Sequence, residues 1–146
     1  MMTAALALFR PLMHTRATFM GTILAIEDDP LIMDLIAILL EREGHSVVRA
    51  TTAEEGIAAA GRSPPDLILM DVALPGIDGL EATRILKADP ATRMIPVVAL
   101  TAQTMKEDVE RATRAGCDAF IMKPLSTRAF LQQVSRLLDG TAAEHA

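Results

Sequence analysis

Tryptophan and tyrosine are absent from this 146-residue chain, and phenylalanine occurs only 4 times. The core must therefore be aliphatic, and the aromatic platforms on which single-stranded nucleic acid stacks are missing. Positive charge is in deficit as well. Lys and Arg number 14 against 19 Asp and Glu, a formal net charge of -5, which argues against a phosphate-backbone partner. Cys117 is the only cysteine, so no intrachain disulfide can form, and a reducing, cytoplasmic compartment is expected. Such a lone cysteine is more often a small core residue than a nucleophile, and Cys117 is read that way. No apolar run approaches the roughly 20 residues that span a bilayer, so no membrane partner is expected.

What is present suits one soluble α/β domain with a sizeable core: 51% hydrophobic and 23% charged residues. Residues 1–20 stand apart, because they carry Arg10 and Arg16 and no acid. Their apolar stretch, Ala4 to Phe9, precedes the basic residues, the reverse of a signal peptide. Pro11 argues against a long helix. The segment is read as a loose arm, or as the product of an upstream start with Met20 as the natural beginning.

From Gly21 to about residue 139 short apolar runs alternate with helical patterns. Thr22 to Ile26 is a strand-like run that stops at Glu27, Asp28 and Asp29. Asp29 can cap a helix with Pro30 at its first position, whose Ile32, Leu35, Ile36, Leu39 and Leu40 recur at helical spacing before Gly44. His45 to Ala50 is a second strand, and Thr52-Ala-Glu-Glu55 is a capping box opening a helix that fades at Gly61. The third strand, Asp66 to Met70, is continuously apolar over Leu67 to Met70, as a strand buried on both faces should be, and ends at Asp71. A turn with Pro75, Gly76 and Gly79 leads to a helix around Leu80 to Lys87. Ile95 to Leu100 is the fourth strand, ending at Thr101. A charged helix over Lys106 to Ala115 closes at Gly116. Ala119 to Met122 is the fifth strand, followed by Lys123-Pro124. Ser126 can cap a last helix with Phe130, Leu131, Val134, Leu137 and Leu138 as its apolar stripe. Residues 140–146 are read as a tail. Five strand–helix pairs in alternation predict a doubly wound parallel sheet with helices on both faces.

Ligands of such sheets bind beyond the carboxyl ends of the strands. There the sequence places Glu27, Asp28 and Asp29, then Asp71, Thr101 and Lys123, so four strand ends of five carry functional groups to one edge. Any one of them could be a solvated strand terminus; the set is not expected by coincidence. Gathering Glu27, Asp28 and Asp71 raises the cost of ionising all three unless a cation sits among them. A hard divalent ion on one or two carboxylates, keeping several waters, describes Mg²⁺. Calcium wants more oxygen ligands, and no His–Cys cluster suits zinc. A carboxylate beside Mg²⁺, an ammonium and a hydroxyl is equipped to accept a phosphoryl group. Asp71 is the nucleophile, while Lys123 and the metal neutralise its charge and Thr101 donates a hydrogen bond.

The segments Ile23-Leu-Ala-Ile-Glu-Asp-Asp-Pro30, Asp66-Leu-Ile-Leu-Met-Asp-Val-Ala-Leu-Pro75 with Asp78-Gly79, Val98-Ala-Leu-Thr-Ala102 and Met122-Lys-Pro124 resemble the CheY-like response-regulator receiver domain. The resemblance spans about residues 21 to 139. Within that family, Thr101-Ala-Gln-Thr-Met-Lys-Glu-Asp108 and Arg114-Ala-Gly-Cys117 look most like DivK-type single-domain regulators. The resemblance implies a flavodoxin-like strand order 2-1-3-4-5 and phosphorylation of Asp71 in a two-component or phosphorelay system. It further implies Asp28 as direct metal ligand, Glu27 acting mainly through water, and the Ala73 carbonyl completing the set. Lys123 would pair with the phosphoryl group, and the peptide before Pro124 would be cis. Thr101 and Phe120 would form a switch pair in which the hydroxyl moves to the new charge and the ring turns inward, remodelling the face of the fourth helix, fifth strand and fifth helix. Ala73 and Gln103 stand where side chains influence the lifetime of the phosphoryl group.

Partners on this reading are a histidine kinase or histidine phosphotransferase and a downstream protein. Output is either allosteric binding or onward phosphotransfer, because the residues after Leu138 are too few for a DNA-binding domain. The protein is a phosphoacceptor rather than an enzyme with turnover, although it assists its own Mg²⁺-dependent reactions. Lys106, Glu107, Glu110, Arg111 and Arg114 are candidates for the target face, and the first helix, led by Leu31, for the kinase side. Three enzyme or carrier classes fit poorly. A haloacid-dehalogenase-type phosphatase needs an acid where Ala73 stands. A flavin carrier needs a phosphate loop where Glu27-Asp-Asp29 would repel it. A P-loop lacks its glycine–lysine signature. The alternative is a receiver-like interaction module that switches without phosphate, which should have lost part of the acid–lysine set that this chain retains.

Overall fold

A computed structural model of the protein describes residues 20–102 and 106–145. The arm read over residues 1–20 lies, Met20 apart, outside the described residues, as does Gln103. Five strands and five helices alternate: β1 (Thr22–Ile26), α1 (Pro30–Arg42), β2 (Ser46–Ala50), α2 (Ala53–Arg62), β3 (Leu67–Asp71), α3 (Gly79–Ala88), β4 (Val97–Thr101), α4 (Lys106–Ala115), β5 (Ala119–Met122) and α5 (Thr127–His145). All strand pairings are parallel, in the order β2-β1-β3-β4-β5. This is the doubly wound sheet that the alternation predicts and the strand order that the resemblance implies.

Strand residues divide by parity between two apolar layers, because successive side chains point to opposite faces. Leu24, Ile26, Ile68, Met70, Val97 and Ala99 pack under α2, α3 and α4. Ile23, Ala25, Leu67, Leu69, Val98 and Leu100 pack under α1 and α5, where Phe130, Val134 and Leu138 are fully buried. Four central residues of β3, Leu67 to Met70, have no exposed surface, which is why that strand reads as an unbroken apolar run. Cys117 belongs to the first layer, and burial pushes its thiol up, as an inert core cysteine requires.

Helix starts follow their caps. Asp29 Oδ1 accepts from the Leu31 amide at 2.9 Å, and Thr52 Oγ1 from the Glu55 amide at 3.1 Å. Glu55 completes its capping box one residue early, on the amide of Thr51 (2.8 Å) rather than that of Thr52. Asp78 caps α3 through the Glu81 amide at 2.8 Å. Helix α5 continues to His145, into the stretch read as a tail from residue 140. Gly140 alone does not stop a helix, and Ala142, Ala143 and Glu144 are good helix formers with no proline among them.

Candidate functional site

The chain winds outward in both directions from the β1–β3 seam, so a crevice opens beyond the carboxyl ends of these two strands. Glu27 and Asp28 leave β1 there, and Asp71 is the last residue of β3. Their carboxylate oxygens lie within 4.8 Å of one another. Two of the three are deep, with Glu27 1% and Asp71 3% exposed, whereas Asp28 faces solvent. Lys123, from the end of β5, closes the group: its Nζ lies 2.9 Å from Glu27 Oε1 and 3.3 Å from Asp71 Oδ1. The peptide between Lys123 and Pro124 is cis.

Backbone amides hold the two buried acids. The Asp29 N–H donates to Glu27 Oε2 at 3.0 Å, and the Ala73 N–H to Asp71 Oδ1 at 3.0 Å. Helix α3 must pass close by: a Cβ on Gly79 would collide with the backbone carbonyl of Asp71, so only glycine lets the helix start at this spot.

Burial pushes the Glu27 carboxyl above its usual range, with Asp71 adding to the effect. Lys123 and the Asp29 amide oppose it without cancelling it. For Lys123, burial is the largest single influence and favours loss of the proton, but Glu27 and Asp71 together outweigh it, so its pKa is raised and it stays an ammonium. One cation thus serves two buried carboxylates with a third beside them, and the cluster is short of positive charge.

Whether a metal would fit can be judged from Glu27. Its Oε1 is buried beside the Lys123 ammonium, yet accepts no directed hydrogen bond. A buried carboxylate oxygen held only by an ion pair, within a group of three carboxylates, suits a small, hard, oxygen-seeking cation.

From Asp71 a cleft of about 390 Å³ runs between α3 and α4, reaching Thr101, Phe120 and Lys123 along the sheet and Asp108 and Arg111 on α4. Thr101, at the end of β4, and Phe120, half-buried on β5, therefore share one space, as the switch pair implied by the resemblance would require. Ala73 lines the cleft and is exposed. The sequence reading brought Glu27, Asp28, Asp71, Thr101 and Lys123 to one edge, and the structure gathers them there. It did not find Asp108 and Arg111 in the cleft: Arg111 was read as part of an outward charged face, and only the packing of α3 against α4 reveals the flank it occupies.

A doubly wound sheet whose switch point holds three acids and a lysine is the framework of a phosphorylation-based signalling domain. The chain belongs to the response regulator receiver domain family, which it matches over residues 23–135. It is 41% identical over 117 residues to the polar-differentiation response regulator DivK of Brucella ovis, a match covering 80% of this chain and 95% of that one. Among solved structures it is similar to the receiver domain of a signal transduction histidine kinase from Syntrophus aciditrophicus, with 36% identity, a TM-score of 0.77 and coverage of 82% and 91% of the two chains. The receiver domain of a sensor histidine kinase from Pseudomonas aeruginosa, described with magnesium coordinated in its active-site cleft, matches at 31% identity and a TM-score of 0.76, covering 82% and 98%. The protein is thus a receiver of two-component signalling, like DivK. Among the described residues no helix is long and apolar enough to cross a membrane.

Proposed function

We propose that Asp71 accepts a phosphoryl group from the histidine of a kinase or histidine phosphotransferase, in the cytoplasm, and that the phosphorylated domain acts through protein contacts or passes the group on. One observation carries this reading: the Asp71 carboxylate, 3% exposed, sits 3.3 Å from the Lys123 ammonium at the head of an open cleft. In the transfer an Asp71 oxygen bonds to phosphorus as the phosphorus–nitrogen bond of the donor breaks, and the departing imidazole keeps the nitrogen electron pair.

Lys123 neutralises charge on the transferred group, and the Ala73 amide orients the carboxylate for attack. The Thr101 hydroxyl donates to a phosphoryl oxygen, and Phe120 follows into the cleft. With no phenol, this ring acts by packing alone. Asp28, Asp71 and the Ala73 carbonyl would hold Mg²⁺, with Glu27 acting mainly through water. The bound ion would supply positive charge to the phosphoryl oxygens in the transition state.

The donor surface we assign to α1. Leu31, Leu35 and Ile38 form an apolar stripe at helical spacing, 79%, 39% and 48% exposed, on the helix that follows Asp28 in the chain. The deciding experiment is acetyl phosphate with Mg²⁺ followed by intact mass. The wild type should gain about 80 Da, one phosphoryl group on a carboxylate, and Asp71→Asn should gain nothing. Labelling of both proteins overturns the assignment to Asp71, and labelling of neither overturns it in favour of a module that switches without phosphate.

A further inference from the structure

The charged side chains lining the cleft form two pairs: Asp71 and Lys123 at the strand ends, Asp108 and Arg111 on α4. Between them the walls include Leu80, Ala99 and Ala112. Cα–Cβ bonds in a helix tilt toward its N-terminus, which directs the Arg111 side chain back along α4 toward the end that adjoins the site.

We propose that Arg111 is a positioning residue for the phosphoryl group. When charge builds on Asp71, the guanidinium leaves Asp108 and turns into the cleft, drawing the first turns of α4 with it. The proposal rests on phosphorylation of Asp71.

Three observations support it. First, the resting partner is weak: Arg111 Nη1 lies 3.7 Å from Asp108 Oδ1, beyond hydrogen-bond distance, with side-chain exposures of 57% and 28%. Pairs of this kind hold their members loosely. Second, the site stays short of cations even with Mg²⁺ bound, because Glu27, Asp28 and the phosphorylated Asp71 together outweigh the metal and Lys123. Lys123 is already shared between Glu27 and Asp71, and phosphorylation brings the charge on Asp71 to about -2. Third, a planar guanidinium matches two phosphoryl oxygens, a geometry an ammonium cannot reproduce. Val109 and Ala112 line the same cleft as Phe120, so a pull on Arg111 reaches the wall against which that ring would turn.

The test uses the full chain with Mg²⁺ and beryllofluoride, a stable phosphoryl mimic, following apparent affinity and the backbone amide resonances of residues 106–112. Arg111→Gln should weaken binding about fivefold, the size of one partly screened charge contact, and blunt the α4 resonance shifts. Arg111→Lys should restore part of the affinity. Asp108→Asn should act in the opposite direction and tighten binding, because it frees Arg111 beforehand. A pair that serves only helix stability predicts instead that Arg111→Gln and Asp108→Asn change binding in the same sense. That result, or wild-type affinity in Arg111→Gln, overturns the role of Arg111 while leaving Asp71 as acceptor. Absence of any response in the wild type overturns both.

Discussion

Replacing Asp28 by Asn should make the metal-free protein more stable and the Mg²⁺-loaded protein relatively less so. Asp28 faces solvent, and among the described residues its main electrostatic neighbours in the site are Glu27 and Asp71, all three within 4.8 Å. At that separation two full charges repel by roughly 3.5 kcal/mol at an effective dielectric of about 20, and by roughly 0.9 kcal/mol in bulk water. Because Asp28 is exposed, the lower figure governs each pair. Relief from two pairs then comes to about 1.8 kcal/mol, or a rise of roughly 4–9 °C in Tm for a domain of this size. Mg²⁺ reverses the ranking. A ligand that binds only the folded state at 100 times its Kd stabilises it by about 2.7 kcal/mol, and the variant forgoes most of that. Thermal unfolding followed by circular dichroism, in chelator and in saturating Mg²⁺, reads both effects. The chelator gap should also shrink with added salt. If Asp28→Asn is no more stable than wild type in chelator at low salt, or if Mg²⁺ raises both Tm values equally, the clustered-charge account of the site is wrong.

Three further outcomes follow from other parts of the molecule. His45 is 8% exposed and its Nδ1 accepts from the Gly21 amide at 3.2 Å; burial lowers its pKa below the usual 6.5. The unfolded chain therefore takes up this proton first, so the contribution of His45 is complete above pH about 6.5 and is lost as pH falls from there through the folded-state value. Urea unfolding of the wild type and His45→Asn across this range should show the steeper acid loss in the wild type. Gly79→Ala should cost about 3 kcal/mol or more, because the new methyl group meets the Asp71 carbonyl. Its urea midpoint should drop accordingly, and phosphorylation by acetyl phosphate should fall with it. Leu31→Asp, at a site 79% exposed, should leave the unfolding free energy from urea titration within about 0.5 kcal/mol of wild type. It should slow labelling by a phosphohistidine donor while sparing labelling by acetyl phosphate, and equal effects on both donors would refute the α1 assignment.

Much of this architecture was readable along the chain because local chemistry and global fold agree. Asp29 with Pro30 and Thr52 with Glu55 announce helix starts, and the run from Leu67 to Met70 announces a strand covered on both sides. The site was readable for the same reason. A buried parallel strand that ends abruptly in Asp71 leaves a carboxylate at the carboxyl edge, and each other strand end adds its own group. What escaped depends on contacts between distant segments. Lys87 Nζ donates to the Arg93 and Ile95 carbonyls and to Asp118 Oδ2, at 3.2, 2.8 and 3.0 Å, tying α3 to the opposite edge of the sheet, and no periodicity reveals that bond. Arg111 looks like any exposed charge until α3 is laid beside it.

The sheet also acts as a partition. Helices α1 and α5 lie on one side, and α2, α3 and α4 on the other. If the donor docks on α1 and phosphorylation is reported through α4, the two transactions occupy opposite halves of the molecule, with only the phosphoacceptor edge in common. Loading and readout then need not queue for one patch of surface. A donor could stay in place while a target arrives, and substitutions that retune one allegiance would leave the other intact.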